Sequence, residues 1–265
     1  MVDFRLFAAA PPEALPIDGL PIDGLLLDAP LVDAPAKLAV RTLPRPRGNR
    51  PTRSVELDLW RQGLQRVAGI DEVGRGALAG PVVSAAVTLA PNARPAWLRD
   101  VRDSKALTPR QRSRLAPLIK ASVADWGVGW ATRDEIDRHG IVPATRLSMQ
   151  RAVAALRDVP EFVLVDGTDR HDFPCGFEAI KKGDARVTSI AAASVVAKVA
   201  RDAWMEAISG RNPTFNFASN KGYSSAAHLR SLADQGPCSE HRRSFAPVRE
   251  AAGDAPRELS LPFDC

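Results

Sequence analysis

From about Leu64 the chain alternates short, β-branched apolar runs with longer segments of helical period, which limits it to one class of architecture. Val67-Ala68-Gly69-Ile70 reads as a buried strand, and Val82 to Leu89 as a second, richer in valine. Val123 to Trp130 alternates as a third, and Phe162 to Val165 is a fourth apolar run, closed by Asp166 and Gly167. Helix signals lie between and after these strands. Thr108-Pro109 has N-cap and first-turn chemistry for a helix to about Ala121. Thr132 with Glu135 makes a capping box. Pro143 to Arg157 carries Leu147, Val153 and Leu156 on one helical face, Ser189 to Ile208 is a long alanine-rich helix, and Ser225 to Gln235 is a shorter one. Early strands followed by alternating helices and strands predict an α/β domain with helices packed on a mixed sheet.

Residues 1–54 follow another pattern. Leu15-Pro16-Ile17-Asp18-Gly19 is repeated at once as Leu20-Pro21-Ile22-Asp23-Gly24, with looser echoes ending in Asp28-Ala29-Pro30 and Asp33-Ala34-Pro35. Recurrent Pro and Gly block both helix and ladder, and a five-residue period matches no common solenoid. Arg41, Arg45, Arg47, Arg50 and Arg53 then punctuate a Pro-rich linker. The expectation is a disordered leader over 1–54, or an electrostatic tether for nucleic acid, a globular domain over 55–250, and a flexible tail over 251–265. The whole chain of 265 residues carries 36 basic and 31 acidic side chains, a net +5 that permits a nucleic-acid partner without requiring one. No apolar run approaches the roughly 20 residues of a membrane span. Asp3 and Glu13 argue against a signal peptide. Cys175, Cys238 and Cys265 have no paired spacing for zinc or a disulfide framework, so the expected compartment is a reducing cytoplasm.

Four carboxylates sit where a strand pattern ends or a loop turns. Asp71 and Glu72 follow the Val67–Ile70 run, Asp166 follows the Phe162–Val165 run, and Asp184 stands in Lys181-Lys182-Gly183-Asp184 just before the long helix. Ligand groups in open α/β sheets collect at strand carboxyl ends. Clustered carboxylates repel one another unless a cation neutralises them. With oxygen ligands and no His or Cys set nearby, that cation is expected to be Mg²⁺ or Mn²⁺, in a two-metal site suited to phosphodiester hydrolysis. The alternative is that Asp71 and Asp166 only cap turns. Neighbours on a regular strand point to opposite faces, so Asp71 and Glu72 share a metal only if the strand ends there, as Gly74 and Gly76 suggest. Gly74-Arg75-Gly76 also allows close backbone approach to a ligand beside a guanidinium.

These residues resemble ribonuclease HII. VAGIDEVGRGALAGPVVSAAVTL from Val67, RDSKALTPRQR from Arg102, LVDG from Leu164, KKGDARVTSIAAASVVAKVARD from Lys181 and NKGYSSAAHLRSLADQGPCSEHRRSF from Asn220 fall in that family's order. The resemblance covers roughly residues 64 to 250. It implies a ribonuclease H-like fold with a central five-stranded mixed sheet flanked by helices and a helical C-terminal part. It also implies an endoribonuclease that cuts the RNA strand of RNA/DNA hybrids and single ribonucleotides embedded in duplex DNA, leaving 3′-hydroxyl and 5′-phosphate ends, with a role in ribonucleotide repair. Asp71, Glu72, Asp166 and Asp184 match the family's metal-binding catalytic acids. Gly74, Arg75 and Gly76 match the loop that reads the 2′-hydroxyl, the group that distinguishes RNA from DNA. Tyr223, the chain's single tyrosine, matches the one that packs on the neighbouring deoxyribose. Ser104, Lys105, Ser194 and Lys198 also match family positions, as phosphate contacts or site support. Ser224 and Ser225 depart from the family, where Gly or Pro and then Thr are frequent.

Two other activities fit the pattern less well. Ribonuclease HIII differs between the motif glycines and carries an added N-terminal domain that this Pro-rich leader does not resemble. A non-catalytic hybrid-binding module would lack a carboxylate, and all four are present. His228 and His241, with no second ligand at metal spacing, read as surface or core-edge histidines. The C-terminal Glu258-Leu259-Ser260-Leu261-Pro262-Phe263 resembles a peptide that grips the replication sliding clamp, with Leu259 to Phe263 as anchors. Calorimetry on a chain lacking it tests that contact. The enzyme is expected to act as a monomer, away from membranes.

Overall fold

The computed structural model describes residues 50–169 and 171–254. The leader through residue 49 and the expected clamp peptide at Leu259 to Phe263 lie outside the described residues. Five strands form the centre: β1 (Val67–Val73), β2 (Val82–Thr88), β3 (Asp125–Ala131), β4 (Phe162–Asp166) and β5 (Gly176–Ile180). Their order is β3-β2-β1-β4-β5. β1 and β3 pair antiparallel with β2, while β4 pairs parallel with both β1 and β5. This is the expected mixed sheet. β5 carries no alternating apolar signal and had none to read, because its residues are only half buried at the sheet edge until Ile180.

Among the described residues there are eight helices: α1 (Ser54–Arg61), α2 (Pro109–Ser122), α3 (Arg133–His139), α4 (Ile141–Ala154), α5 (Thr188–Ser209), α6 (Phe217–Asn220), α7 (Ala226–Gln235) and α8 (Ala246–Ala251). Thr108 and Thr132 cap α2 and α3 as complete capping boxes, with Gln111 and Glu135 as the returning partners. α4 ends at Ala154, three residues earlier than its pattern suggests. The Arg157 N–H is free of the helix and donates to Asp125 Oδ2 at 2.6 Å. Val153 and Leu156 are buried as expected, but Leu147 is only half-buried, and the rest of the buried face is Ala144, Thr145, Ser148, Met149 and Ala152, where β3 approaches closely. A Cβ at Gly129 would collide with the Ser148 carbonyl.

The two faces of β1 belong to different helices. Val67 joins the core built on α5, with Ile190, Ala193 and Val196. Ala68 and Ile70 join the α4 core, with Met149 and Ala152. Gly69 lies directly under α5, where a Cβ would strike the Ser189–Ile190 peptide. A third core, of Leu78, Trp204, Met205, Phe215, Phe217, Leu232 and Val248, packs the far half of α5 against the C-terminal helices. Among the described residues no helix is long and apolar enough to cross a membrane.

Residues 50–54, expected in the leader, belong to the folded part. Thr52 forms a parallel bridge with Val187, and its carbonyl accepts the Thr188 N–H at 3.1 Å. Glu56, fully buried in α1, accepts the Ser189 N–H at 2.8 Å. The N-cap residue of α5, Val187, has no capping side chain, so Thr52 and, on α1, Glu56 satisfy these first-turn donors from far away in sequence. Burial raises the Glu56 carboxyl pKa against the pull of those backbone hydrogen bonds. Glu56→Ala is expected to cost about 1–2 kcal/mol of stability in urea unfolding at neutral pH, the range of a lost cap. An unchanged midpoint would contradict this capping role.

Candidate active site

Asp71, Asp166 and Asp184 meet at the carboxyl ends of β1 and β4. Each offers a carboxylate oxygen within 4.8 Å of the others. Asp71 is 5% exposed and Asp184 6%. Asp166 Oδ1 accepts the Gly183 N–H at 2.6 Å, which draws the 3₁₀ turn Gly183–Ala185, and with it Asp184, over the end of β4. Lys182 enters that turn in the left-handed region, φ 56°.

Glu72 does not join this group. The expected strand end after Ile70 does not occur: the antiparallel ladder continues through Asp71↔Ala85, Glu72↔Ser84 and Val73↔Val83. Alternation along the intact strand therefore turns Asp71 toward α5 and Glu72 toward α4. There Glu72 lines a cleft with Arg75, Thr145, Arg146, Asp166 and His171. Asp166 reaches both sides, so Glu72 and Asp166 still repel across the strand ends. His171 was not singled out in the sequence. It is 7% exposed, with neither ring nitrogen hydrogen-bonded, and burial pulls its pKa down.

Burial is the main cause of the raised pKa values in this site, and like charge adds to it. The Asp71 carboxyl stands well above the usual range through burial, then Glu72 and Asp166. Glu72 is raised by burial and then Asp166. Asp184 is raised to about 6 by burial, Asp166 and Asp103. Burial alone would lower the Lys105 ammonium, but Asp103, Asp71, Asp184 and Asp166 together raise it. Lys105 is therefore a cation held in the field of the acids. Ser104 and Ser194, both 5% exposed, hydrogen-bond each other at 2.8 Å beside Asp71. Their burial favours support of Asp71 over direct phosphate contact. Lys198 is paired with Asp202 at 2.7 Å, and Asp202 also faces Arg112 at 3.6 Å. Lys198 lines a groove with Pro109, Arg112, Lys221 and Tyr223, its ammonium 5.8 Å from the tyrosine ring.

Gly74 takes φ +88°, and a Cβ there would collide with the Arg201 side chain. Gly76 is exposed. The loop after them is tied to the Tyr223 loop through Leu78 N–H, which donates to the Gly222 carbonyl at 2.8 Å. Tyr223 is 37% exposed. Its carbonyl accepts from His228 Nδ1 at 2.8 Å, which fixes that ring's proton on Nδ1 and leaves Nε2 as an acceptor. His241 Nε2, 3.0 Å away, must then donate, and its Nδ1 accepts the Cys238 N–H at 3.1 Å. Burial lowers both histidine pKa values, His241 to about 4, consistent with neutral rings. The expectation of surface or core-edge histidines is corrected: both are 0% exposed. Ser225 caps α7 by accepting the His228 N–H at 3.2 Å, so that departure from the family motif is a working helix cap.

A family model for ribonuclease HII matches residues 68–248. The chain is 51% identical over 185 residues to ribonuclease HII of Nitrosococcus oceani, covering 70% of this chain and 90% of that one. It is 47% identical over 191 residues to ribonuclease HII of Vibrio cholerae, covering 72% and 91%. In structure it resembles the ribonuclease H2 of Pyrococcus horikoshii, with TM-score 0.62 and 28% identity over 71% of this chain and 97% of that chain. It also resembles the structure of a PCNA:RNase HII complex from Archaeoglobus fulgidus, with TM-score 0.56 and 26% identity over 67% and 92%. The five-stranded mixed sheet with flanking helices is thus the ribonuclease H-like fold.

An acid whose pKa is raised by folding binds its proton more tightly in the native than in the unfolded state, so it lowers stability as it ionises. For Asp184 that loss develops from the ordinary 3.8 up to about 6 and is complete above it. In chelator, Asp184→Asn is therefore expected to gain stability over wild type progressively between about pH 4 and about pH 6, measured by urea unfolding. Saturating Mg²⁺ should remove that advantage by stabilising wild type more. A pH-independent difference would mean that Asp184 is not held against neighbouring charge.

Proposed function

The chain belongs to the ribonuclease HII family, and we propose that it removes ribonucleotides from duplex DNA by divalent-metal-dependent cleavage on their 5′ side. It is a ribonuclease H enzyme, an endoribonuclease of RNA/DNA hybrids. The observation that carries the finer reading is the meeting of Asp71, Asp166 and Asp184 within 4.8 Å in a buried corner. Three clustered carboxylates, with the pKa values of Asp71 and Asp184 raised, form a site that a hard divalent ion completes, and no His or Cys among them would favour a softer metal. Mg²⁺ and Mn²⁺ both suit this donor set.

When bound, two such ions supply an activated water and charge stabilisation for the leaving 3′-oxygen. Asp71, Asp166 and Asp184 would hold the ions, with Glu72 at the strand ends acting on both Asp71 and Asp166. Ser194 and Ser104 fix Asp71. Lys105, a cation beside the acids, is placed to attract the substrate phosphate. Gly74 to Gly76 present main-chain donors to a 2′-hydroxyl, and Tyr223 offers its exposed ring to the adjoining sugar. Lys198 and Lys221 line the groove beside Tyr223, where the duplex backbone would run.

Asp71→Asn keeps the shape of the side chain while removing its charge. It should lower kcat on a hybrid duplex by about 10³-fold or more, while duplex affinity measured in chelator changes little. Joint loss of cleavage and binding would make Asp71 a structural residue instead.

A further inference from the structure

Arg201 and Arg242 are the two largest fully buried side chains of the described residues, each 0% exposed. Arg201 interrupts the apolar stripe Ala197, Trp204, Met205 and Ile208 on α5. Arg242 lies between α7 and α8. Their six hydrogen bonds all go to main-chain carbonyls. Arg242 donates to Gly74 at 2.8 Å, Arg75 at 3.0 Å and Gly80 at 2.8 Å. Arg201 donates to Ala79 at 3.0 Å, Pro81 at 2.9 Å and Lys221 at 2.8 Å. Burial lowers both pKa values, that of Arg242 to about 9, which is still above neutral pH. A buried charge served only by carbonyls is a costly way to fill a core. What these two accomplish is orientation of the chain around them.

The consequence for the glycine loop follows from peptide geometry. A planar trans peptide points the carbonyl of one residue and the N–H of the next in opposite directions. No peptide of the described residues is cis. With the Gly74 and Arg75 carbonyls drawn inward to Arg242, the N–H groups of Arg75 and Gly76 face away from the buried guanidinium, at a point where Gly76 is exposed. Arg201 adds the second constraint. It holds the 79–81 segment and the Lys221 carbonyl on one fork, and its Cζ lies 5.5 Å from the Tyr223 ring. One cation therefore sets the spacing between the two surface elements.

We propose that Arg242 and Arg201 are positioning residues for ribose recognition: Arg242 turns the Arg75 and Gly76 N–H donors outward, and Arg201 fixes Tyr223 relative to them. This rests on the reading of those elements given under Proposed function. Neither arginine touches the substrate, and both act through the main chain they hold. Lysine at either position keeps a positive charge but loses the planar fork that serves three carbonyls at once.

The test uses the full chain with Arg242→Lys and Arg201→Lys, each first shown to melt cooperatively and to gain Tm from Mg²⁺ as wild type does. The readout is affinity in chelator for a duplex with one ribonucleotide, divided by affinity for the same duplex made wholly of DNA. The ratio should fall about tenfold or more in a folded variant, the scale of a misplaced donor set, with the Mg²⁺ response retained. A folded variant with the wild-type ratio overturns the proposal. The wild-type chain supplies a measurement that survives failure of both variants to fold. Its Arg75 and Gly76 amide resonances should shift with the ribonucleotide duplex and not with the all-DNA duplex, and unmoved amides overturn the outward orientation. If wild type itself shows no ribonucleotide preference, the recognition reading fails, and that outcome is distinct from loss of preference only in the variants.

Discussion

Mutual repulsion among buried carboxylates is the constraint around which this fold is arranged. Asp71 and Asp166 come from neighbouring parallel strands, and Asp184 from the turn that feeds α5, so the sheet and its longest helix together bring like charges within 4.8 Å. Nothing in an apolar core would hold them there unaided. The ladder from β1 to β2 fixes Asp71, the Gly183 N–H fixes Asp166, and the Thr52 and Glu56 contacts anchor the start of α5 just beyond Asp184. Stability given up at a desolvated charge cluster would be regained on binding the proposed cation, which would couple folding to that ion.

The other half of the site uses the opposite sign in the same manner. Two guanidiniums, buried as completely as any leucine of the core, gather the carbonyls of residues 74–81 and of Lys221. Acids therefore assemble where the proposed phosphate chemistry would occur, and guanidiniums assemble beneath the surface that would recognise sugar. His228 and His241 extend that support to the Tyr223 carbonyl through a chain of neutral rings whose proton positions are set by the Cys238 N–H at one end and a carbonyl at the other.

The acids were legible in the sequence because each ends or follows a strand run or a glycine turn, and the helix caps at Thr108 and Thr132 because capping is local chemistry. Residues whose meaning depends on distant partners were less legible. Glu72 and Asp71 point to opposite faces because the ladder to β2 continues past both, yet Glu72 remains the foremost like charge on Asp71. On α4 Val153 and Leu156 were legible as inward, but the small residues Ala144, Ser148 and Ala152 were not, because the space they leave is filled by the backbone of a glycine-bearing strand. His228 and His241 looked peripheral because neither has a ligand at short spacing, whereas each is the other's partner. Arg201 did leave a signal, a charge on the apolar stripe of a long helix, but two of its three carbonyl partners, Ala79 and Pro81, lie 122 and 120 residues earlier in the chain.

Metal-dependent cutting at a ribonucleotide is tested most directly on an end-labelled DNA duplex carrying one ribonucleotide, incubated with Mg²⁺, Mn²⁺ or chelator. The predicted product is a single cut on the 5′ side of the ribonucleotide, leaving a 3′-hydroxyl, present with either ion and absent in chelator. Cutting that persists in chelator, or an intact duplex under all three conditions, would contradict it.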